Sequence, residues 1–170
     1  MLPLTLEVLI NLLIVFSLGL IALKAKAVDF GGSIACIIIG SLILFGGGWY
    51  WFIILVIFFI VSIQFTRFRF SYKEELGSAQ EKGGVRSWPN ALANGGVASI
   101  FAVTEFIFGG DIYAIAFLGA MASATADTIA TEIGLLSKQE PRLITNLRKT
   151  VKAGTSGGIT LIGTISAFFG

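Results

Sequence analysis

The chain is a succession of long apolar runs separated by short charged or glycine-rich breaks, and that pattern leaves few folds open. About 20 helical residues cross a hydrocarbon core roughly 30 Å thick, and within that core every backbone N–H and C=O must find a partner inside the protein. The runs at 4–23, 29–46, 49–65, 90–109, 112–136 and 157–170 therefore read as about six transmembrane helices. They are too long, and too poor in period-two alternation, to be strands of a barrel. With 55% hydrophobic residues and a mean hydropathy of +0.89, the chain carries more apolar surface than a soluble domain of 170 residues can bury. The expectation is an all-α polytopic membrane protein forming a single transmembrane domain over 1–170. The first run lacks a basic leader and a small-residue cleavage site, so it is read as structure and not as a signal peptide.

Threading the spans alternately across the bilayer places all 12 Lys and Arg residues on one side. The positive-inside rule makes that side the cytoplasm and puts the N-terminus outside. The outer connections, "FGGGW" (45–49) and "FGGD" (108–111), are short glycine turns with no room for an outward-facing site. The single cysteine, Cys36, excludes an internal disulfide and falls mid-span, where it packs as a small hydrophobe. The absence of histidine removes a His base and a His-ligated zinc, so any metal must be hard and oxygen-ligated.

Glycine pairs open the runs "FGGSIACIIIGSLILFGG", "NGGVASIFAVTEFIFGG" and "SGGITLIGTISAFFG". Their regular spacing suggests a repeat of about 63 residues, each unit an outgoing helix, a glycine turn, a returning helix and a basic loop. The third unit reaches Gly170 where the others begin their outer turn, so it is read as shortened. Gly31 and Gly32 are expected to serve close helix packing. Gly157 and Gly158 are expected to open a helix whose free N–H groups bind phosphate.

The chemistry concentrates in "ASATADTIATEIG" (122–134). Ser123, Asp127, Thr131 and Gly134 form one helical stripe, and Thr125, Thr128 and Glu132 a second beside it. Asp127 lies on the order of 15 Å from the cytoplasmic end of its helix, where an ionised carboxylate costs roughly 2.5–3.5 kcal/mol on insertion scales. It is expected to face the bundle interior and bind a metal, the alternative being an ion pair with a loop cation. Glu132, about 140° around the axis, would assist or hold a second ion. Glu7 and Glu105 are read as snorkelling groups.

Downstream, Arg148, Lys149 and Lys152 precede "AGTSGG", whose Gly154, Thr155, Ser156, Gly157 and Gly158 amides read as an anion nest. Upstream, Arg86 is a candidate phosphate clamp, and Asn90 and Asn94, one turn apart, are expected to point together into the bundle. Arg67, Phe68, Arg69, Phe70 and Tyr72 read as a headgroup anchor.

"SATADTIATEIG" (123–134), "KAGTSGGIT" (152–160) and "GGVRSWPNALANGG" (83–96) resemble the integral-membrane family that includes transmembrane protein 19 and the plant phytyl-phosphate kinase. That family is distantly similar to phytol and dolichol kinases and to CDP-diacylglycerol-type cytidylyltransferases. The motif region is 83–160. The family reads Gln-Val where this chain has Asn90-Ala91, so the resemblance supports Asn94 more directly than Asn90. It implies a CTP-dependent kinase that converts a prenyl monophosphate to the diphosphate at the cytoplasmic face, with Mg²⁺ on Asp127 and Glu132. The triphosphate would be held by Arg148, Lys149, Lys152 and the 154–158 amides, and the acceptor phosphate by Arg86 and Asn94, with Ser123, Thr128 and Thr131 lining the site.

The expected partners are the bilayer, the prenyl phosphate, a nucleoside triphosphate and a second copy in a homodimer, with no nucleic acid. Glycine-interrupted helices around a midplane carboxylate also mark secondary transporters, which is the competing reading. Parallel repeats, closed outer turns and one-sided polarity weigh against it. A purely structural protein leaves Asp127 and "GTSGG" together without a reason.

Overall fold

The computed structural model describes residues 4–75 and 81–170. The chain is mostly helical, as expected. Among the described residues, five helices are long and apolar enough to cross a membrane: α1 (Leu4–Lys24), α2 (Phe30–Gly47), α3 (Trp49–Arg67), α5 (Trp88–Phe108) and α6 (Asp111–Gly134). A short helix α4 (Phe70–Glu75) follows α3. After α6 come β1 (Arg142–Leu143), β2 (Asn146–Thr150) and β3 (Gly158–Ile159), and then α7 (Leu161–Ala167).

Within the described residues, 157–170 does not form the expected sixth span. Gly158 and Ile159 pair antiparallel with β1, and α7 has only 7 residues. At 1.5 Å per residue it is about 10 Å long, a third of what crossing requires. Thr160 fixes its start, accepting from Gly163 N–H at 3.1 Å.

The chain divides into two compact units, one of residues 1–57 and 85–121, the other of 58–84 and 122–170. In the first unit α2 packs along α5, and glycine makes the approach possible. A Cβ on Gly46 would run into the backbone carbonyl of Ala102, and one on Gly32 would lie 2.5 Å from the Arg86 carbonyl oxygen. Gly32 is thus the packing glycine the sequence suggests. Val15, Leu44 and Phe52 form a buried apolar cluster with Ile14, Ile37, Leu55 and Val56 around it. Trp51 stacks on Phe117 with ring centroids 4.3 Å apart, and the Ser33 hydroxyl donates to the Gly19 carbonyl at 2.9 Å.

The starts of α2 and α5 are tied by a short parallel bridge between Val28 and Arg86. Arg86 N–H donates to Ala27 and Asp29 N–H donates to the Arg86 carbonyl, at 3.0 and 2.9 Å. Asp29 caps α2 through Gly32 N–H at 2.8 Å. Ser87 precedes α5, its N–H and hydroxyl both donating to Asn90 Oδ1 at 3.1 and 3.0 Å. Both helices end on a left-handed glycine, Gly48 (φ 81°) and Gly109 (φ 65°), whose N–H reaches back to Leu44 and Glu105. Two helical hairpins are therefore built alike.

The glycine pairs do not mark equivalent places, however. Gly31–Gly32 lies in the first turn of α2, Gly95–Gly96 lies about two turns into α5, and Gly157–Gly158 lies outside any helix. The third pair lies in a turn because the strand ladder claims Gly158.

Candidate functional site

The polar residues of α6 divide between two faces of the helix. Thr128 and Glu132 are buried, whereas Ser123, Asp127 and Thr131 are exposed. This reverses the expectation that the Ser123–Asp127–Thr131 stripe turns inward. The physical reason is a counter-charge that lies far away in sequence. Lys73 Nζ meets Glu132 Oε2 at 2.6 Å with both side chains 1% exposed, and the Thr66 hydroxyl donates to Glu132 Oε1 at 2.9 Å.

Local backbone explains how Lys73 reaches that position. After α3 ends, Arg69 adopts a left-handed φ of 51°, which turns the chain so that α4 brings Lys73 back. Its ammonium also donates to the Phe65 and Thr66 carbonyls at 3.0 and 3.5 Å. It thereby serves the C-terminal carbonyls of α3, where a cation is favoured by the helix dipole. A buried ion pair is tolerable only when its remaining hydrogen-bonding capacity is met, and here it is met from both sides.

Glu132 is thus a structural ion-pair partner in this arrangement, and Asp127 is the carboxylate left open. Among the described residues Asp127 has no hydrogen bond or ion pair, and no group of three or more acidic, Cys or His residues could enclose a metal. What remains fits Mg²⁺ only in its sparse mode, with one carboxylate and the other ligands from water and phosphate oxygens.

The exposed stripe ends at Gly134, which lines a cleft of about 620 Å³. Its wall runs from the end of α6 through Ser137, Lys138, Glu140 and Pro141 to Thr150 and Lys152. The Val151 N–H donates to the Pro141 carbonyl at 2.9 Å, and Ser137 Oγ accepts from Gln139 N–H at 3.1 Å. From Asp127 to Gly134 is about 10 Å along the axis. α7 packs beside this segment, since a Cβ on Gly163 would lie 2.7 Å from the Ala130 carbonyl oxygen and 3.1 Å from Gly134 Cα.

The other expected site residues fall as follows. Lys152 lines the cleft, but Arg148 and Lys149 lie on exposed β2 and do not. Gly154, Thr155, Ser156 and Gly157 form exposed turns, with Gly154 and Gly157 left-handed (φ 83° and 75°). The nest is partly closed, because Thr155 N–H donates to Lys152 and Gly158 N–H to Thr155. The helix that follows begins at Leu161, so these amides are not its N-terminus. Arg86, Asn90 and Asn94 belong to the first unit. Arg86 is 7% exposed within the backbone bridge. Asn90 is exposed and caps Ser87, and so does not pair with half-buried Asn94.

Sequence reasoning missed Lys73, Thr66 and Lys138. The available signal for Lys73 was a lone cation after an aromatic, basic run, paired with the need of Glu132 for neutralisation so near the end of a span.

The chain is 35% identical over 161 residues to an uncharacterized membrane protein of Methanocaldococcus jannaschii, covering 95% of this chain and 66% of that one. It is 32% identical over 158 residues to Protein PGR of Arabidopsis thaliana, covering 85% of this chain and 54% of that protein. It thus spans between half and two thirds of the length of these relatives. No solved structure matches it. Residues 13–170 match the family described as integral membrane protein DUF92, and the chain, with its five apolar helices, belongs to that family of integral membrane proteins.

Proposed function

We propose that this membrane protein catalyses transfer of the terminal phosphoryl group of a nucleoside triphosphate, CTP by the motif resemblance, to a prenyl monophosphate at the cytoplasmic face. The observation that carries the reading is the open stripe Ser123–Asp127–Thr131, which leads along α6 into a cleft bearing Lys138 and Lys152.

In this reaction an oxygen of the lipid phosphate attacks the terminal phosphorus. The new P–O bond forms as the bond to the bridging oxygen breaks, and the nucleoside diphosphate leaves with that electron pair. The nucleophile is already an anion, so the protein needs no covalent intermediate and supplies positioning and charge. Lys138 and Lys152 hold the triphosphate as point charges. Asp127 would hold Mg²⁺, which would supply charge neutralisation at the phosphates. The Lys73–Glu132 pair holds the end of α6 so that Gly134 keeps its place at the rim. Arg148 and Lys149 have no part in this reading, because neither lines the cleft.

The test is calorimetric titration of Mg²⁺–CTP and Mg²⁺–ATP into the purified, reconstituted chain, followed by turnover with prenyl monophosphates. Lys138→Ala and Lys152→Ala each weaken nucleotide binding several-fold, and the loss shrinks at high salt, where exposed charges are screened. A well-folded parent that binds neither nucleotide at several millimolar overturns the proposal.

A further inference from the structure

The two basic residues that the cleft leaves unused stand beside two exposed aliphatic side chains outside the spans. β1 and β2 form a hairpin, with Leu143 opposite Asn146 and Ile144–Thr145 as its two-residue turn. Ile144 is 63% and Leu147 56% exposed, although neither lies in a span and aliphatic side chains in a polar loop gain nothing from water.

The hairpin is not a loose loop. Its register jumps between Arg142 and Leu143, leaving extra residues on β2. The Arg142 guanidinium fills that bulge by donating to the Leu147 carbonyl at 2.8 Å. Arg148 N–H donates to Asn146 Oδ1 at 3.2 Å, and Ile144 N–H donates to the Gly157 carbonyl at 2.9 Å. A bulge of this kind re-aims the side chains it carries, and here it carries Leu147, Arg148 and Lys149. No Asp or Glu occurs after Glu140, whereas Arg142, Arg148, Lys149 and Lys152 all do. The tip is therefore apolar, its flank cationic, and its attachment to the end of α6 only a few residues long.

We propose that the β1–β2 hairpin docks on the anionic surface of the bilayer that α6 crosses. Ile144 and Leu147 sit in the headgroup region, and Arg148 and Lys149 lie at the level of the lipid phosphates. Charge complementarity selects the occupant, because a small aliphatic tip ringed by cations matches anionic headgroups over an acyl boundary. The tether to α6 keeps that surface within reach at all times. The inference stands independently of the kinase reading.

The experiment places the full chain in nanodiscs of phosphatidylcholine with or without phosphatidylglycerol. A spin label is introduced by Leu147→Cys in a Cys36→Ser background, with Thr155→Cys as the exposed control. Collision with oxygen is compared with collision with a water-soluble nickel chelate. In anionic discs the label at 147 favours oxygen and the label at 155 favours nickel. Arg148→Glu with Lys149→Glu shifts the docked-to-undocked ratio at 147, and with it collision toward nickel, by at least about thirtyfold, since each cation is worth roughly 1 kcal/mol at an anionic surface. Arg148→Gln with Lys149→Gln shifts it less and guards against misfolding of the reversed form. A label at 147 as open to nickel as that at 155, or one unmoved by either pair of changes, overturns the proposal. So does immobilisation of the label by contact with a second copy or another protein.

Discussion

The two units solve the same problem, burial in lipid, by opposite means. In residues 1–57 and 85–121 α2 lies along α5 because Gly32, Gly46 and Gly95 remove side chains from the contact. In residues 58–84 and 122–170 a charged pair is buried, with Lys73 and Glu132 at 1% exposure and the Thr66 hydroxyl of α3 donating to Glu132 of α6. Lipid supplies no hydrophobic drive for helices to associate, so close packing and internal polar bonds are the two sources of cohesion left. The first gives a closely packed helical frame. The second gives polar groups held at fixed positions, from which a site can be assembled.

The largest effect that would break this contrast comes from the ion pair. Glu132→Ala leaves an uncompensated ammonium in the interior and is expected to cost about 3–5 kcal/mol, whereas Lys73→Met with Glu132→Leu should return most of that stability. Unfolding in detergent, followed by circular dichroism, measures both. A mild Glu132→Ala variant would mean that charge does not hold the second unit together.

A smaller effect sharpens the account of the first unit. Gly46→Ala places a methyl against the Ala102 backbone, which cannot rotate away, and should cost about 1–3 kcal/mol. At Gly95 the obstacle is a methyl of Ile39, 2.8 Å from the Cβ position. That methyl belongs to a buried, β-branched side chain with little χ1 freedom in a helix, but alanine favours a helix by about 1 kcal/mol over glycine, so Gly95→Ala should cost less than Gly46→Ala. Equal losses at the two sites would deny that backbone contact sets the helix spacing.

The smallest loss of stability is expected for Asp127→Asn, because the side chain is exposed and has no partner among the described residues, and an ionised carboxylate within a span costs stability. The same variant should lose Mg²⁺-dependent turnover, and that separation of stability from activity is what assigns Asp127 to function. Loss of fold would place it with Glu132 instead.

Much of this was legible in the sequence. The first five spans fall within a few residues of their expected bounds, because hydropathy and the glycine turns mark both ends. What sequence could not supply is whatever depends on distant partners. Both polar stripes of α6 look alike by spacing, and only Lys73, turned back by the strained Arg69, decides that Glu132 is inside and Asp127 is not. The three strands escaped notice for a different reason: they are short, and β2 is exposed along its length, so there is no apolar alternation to read. The helix expected at Gly157 begins instead at Leu161 because β1 captures the preceding residues.

The bridge between Val28 and Arg86 also bears on biogenesis. At the usual pace of synthesis, the roughly 60 residues between its halves take about 3–12 s to emerge. Within that interval α2 and α3 are themselves synthesised, while the carbonyl of Ala27 and the amide of Asp29 still await Arg86. The face of α2 that will receive α5 is meanwhile open to whatever the insertion machinery offers. The nascent protein therefore passes through a stage in which the first hairpin exists without its backbone partner at Arg86.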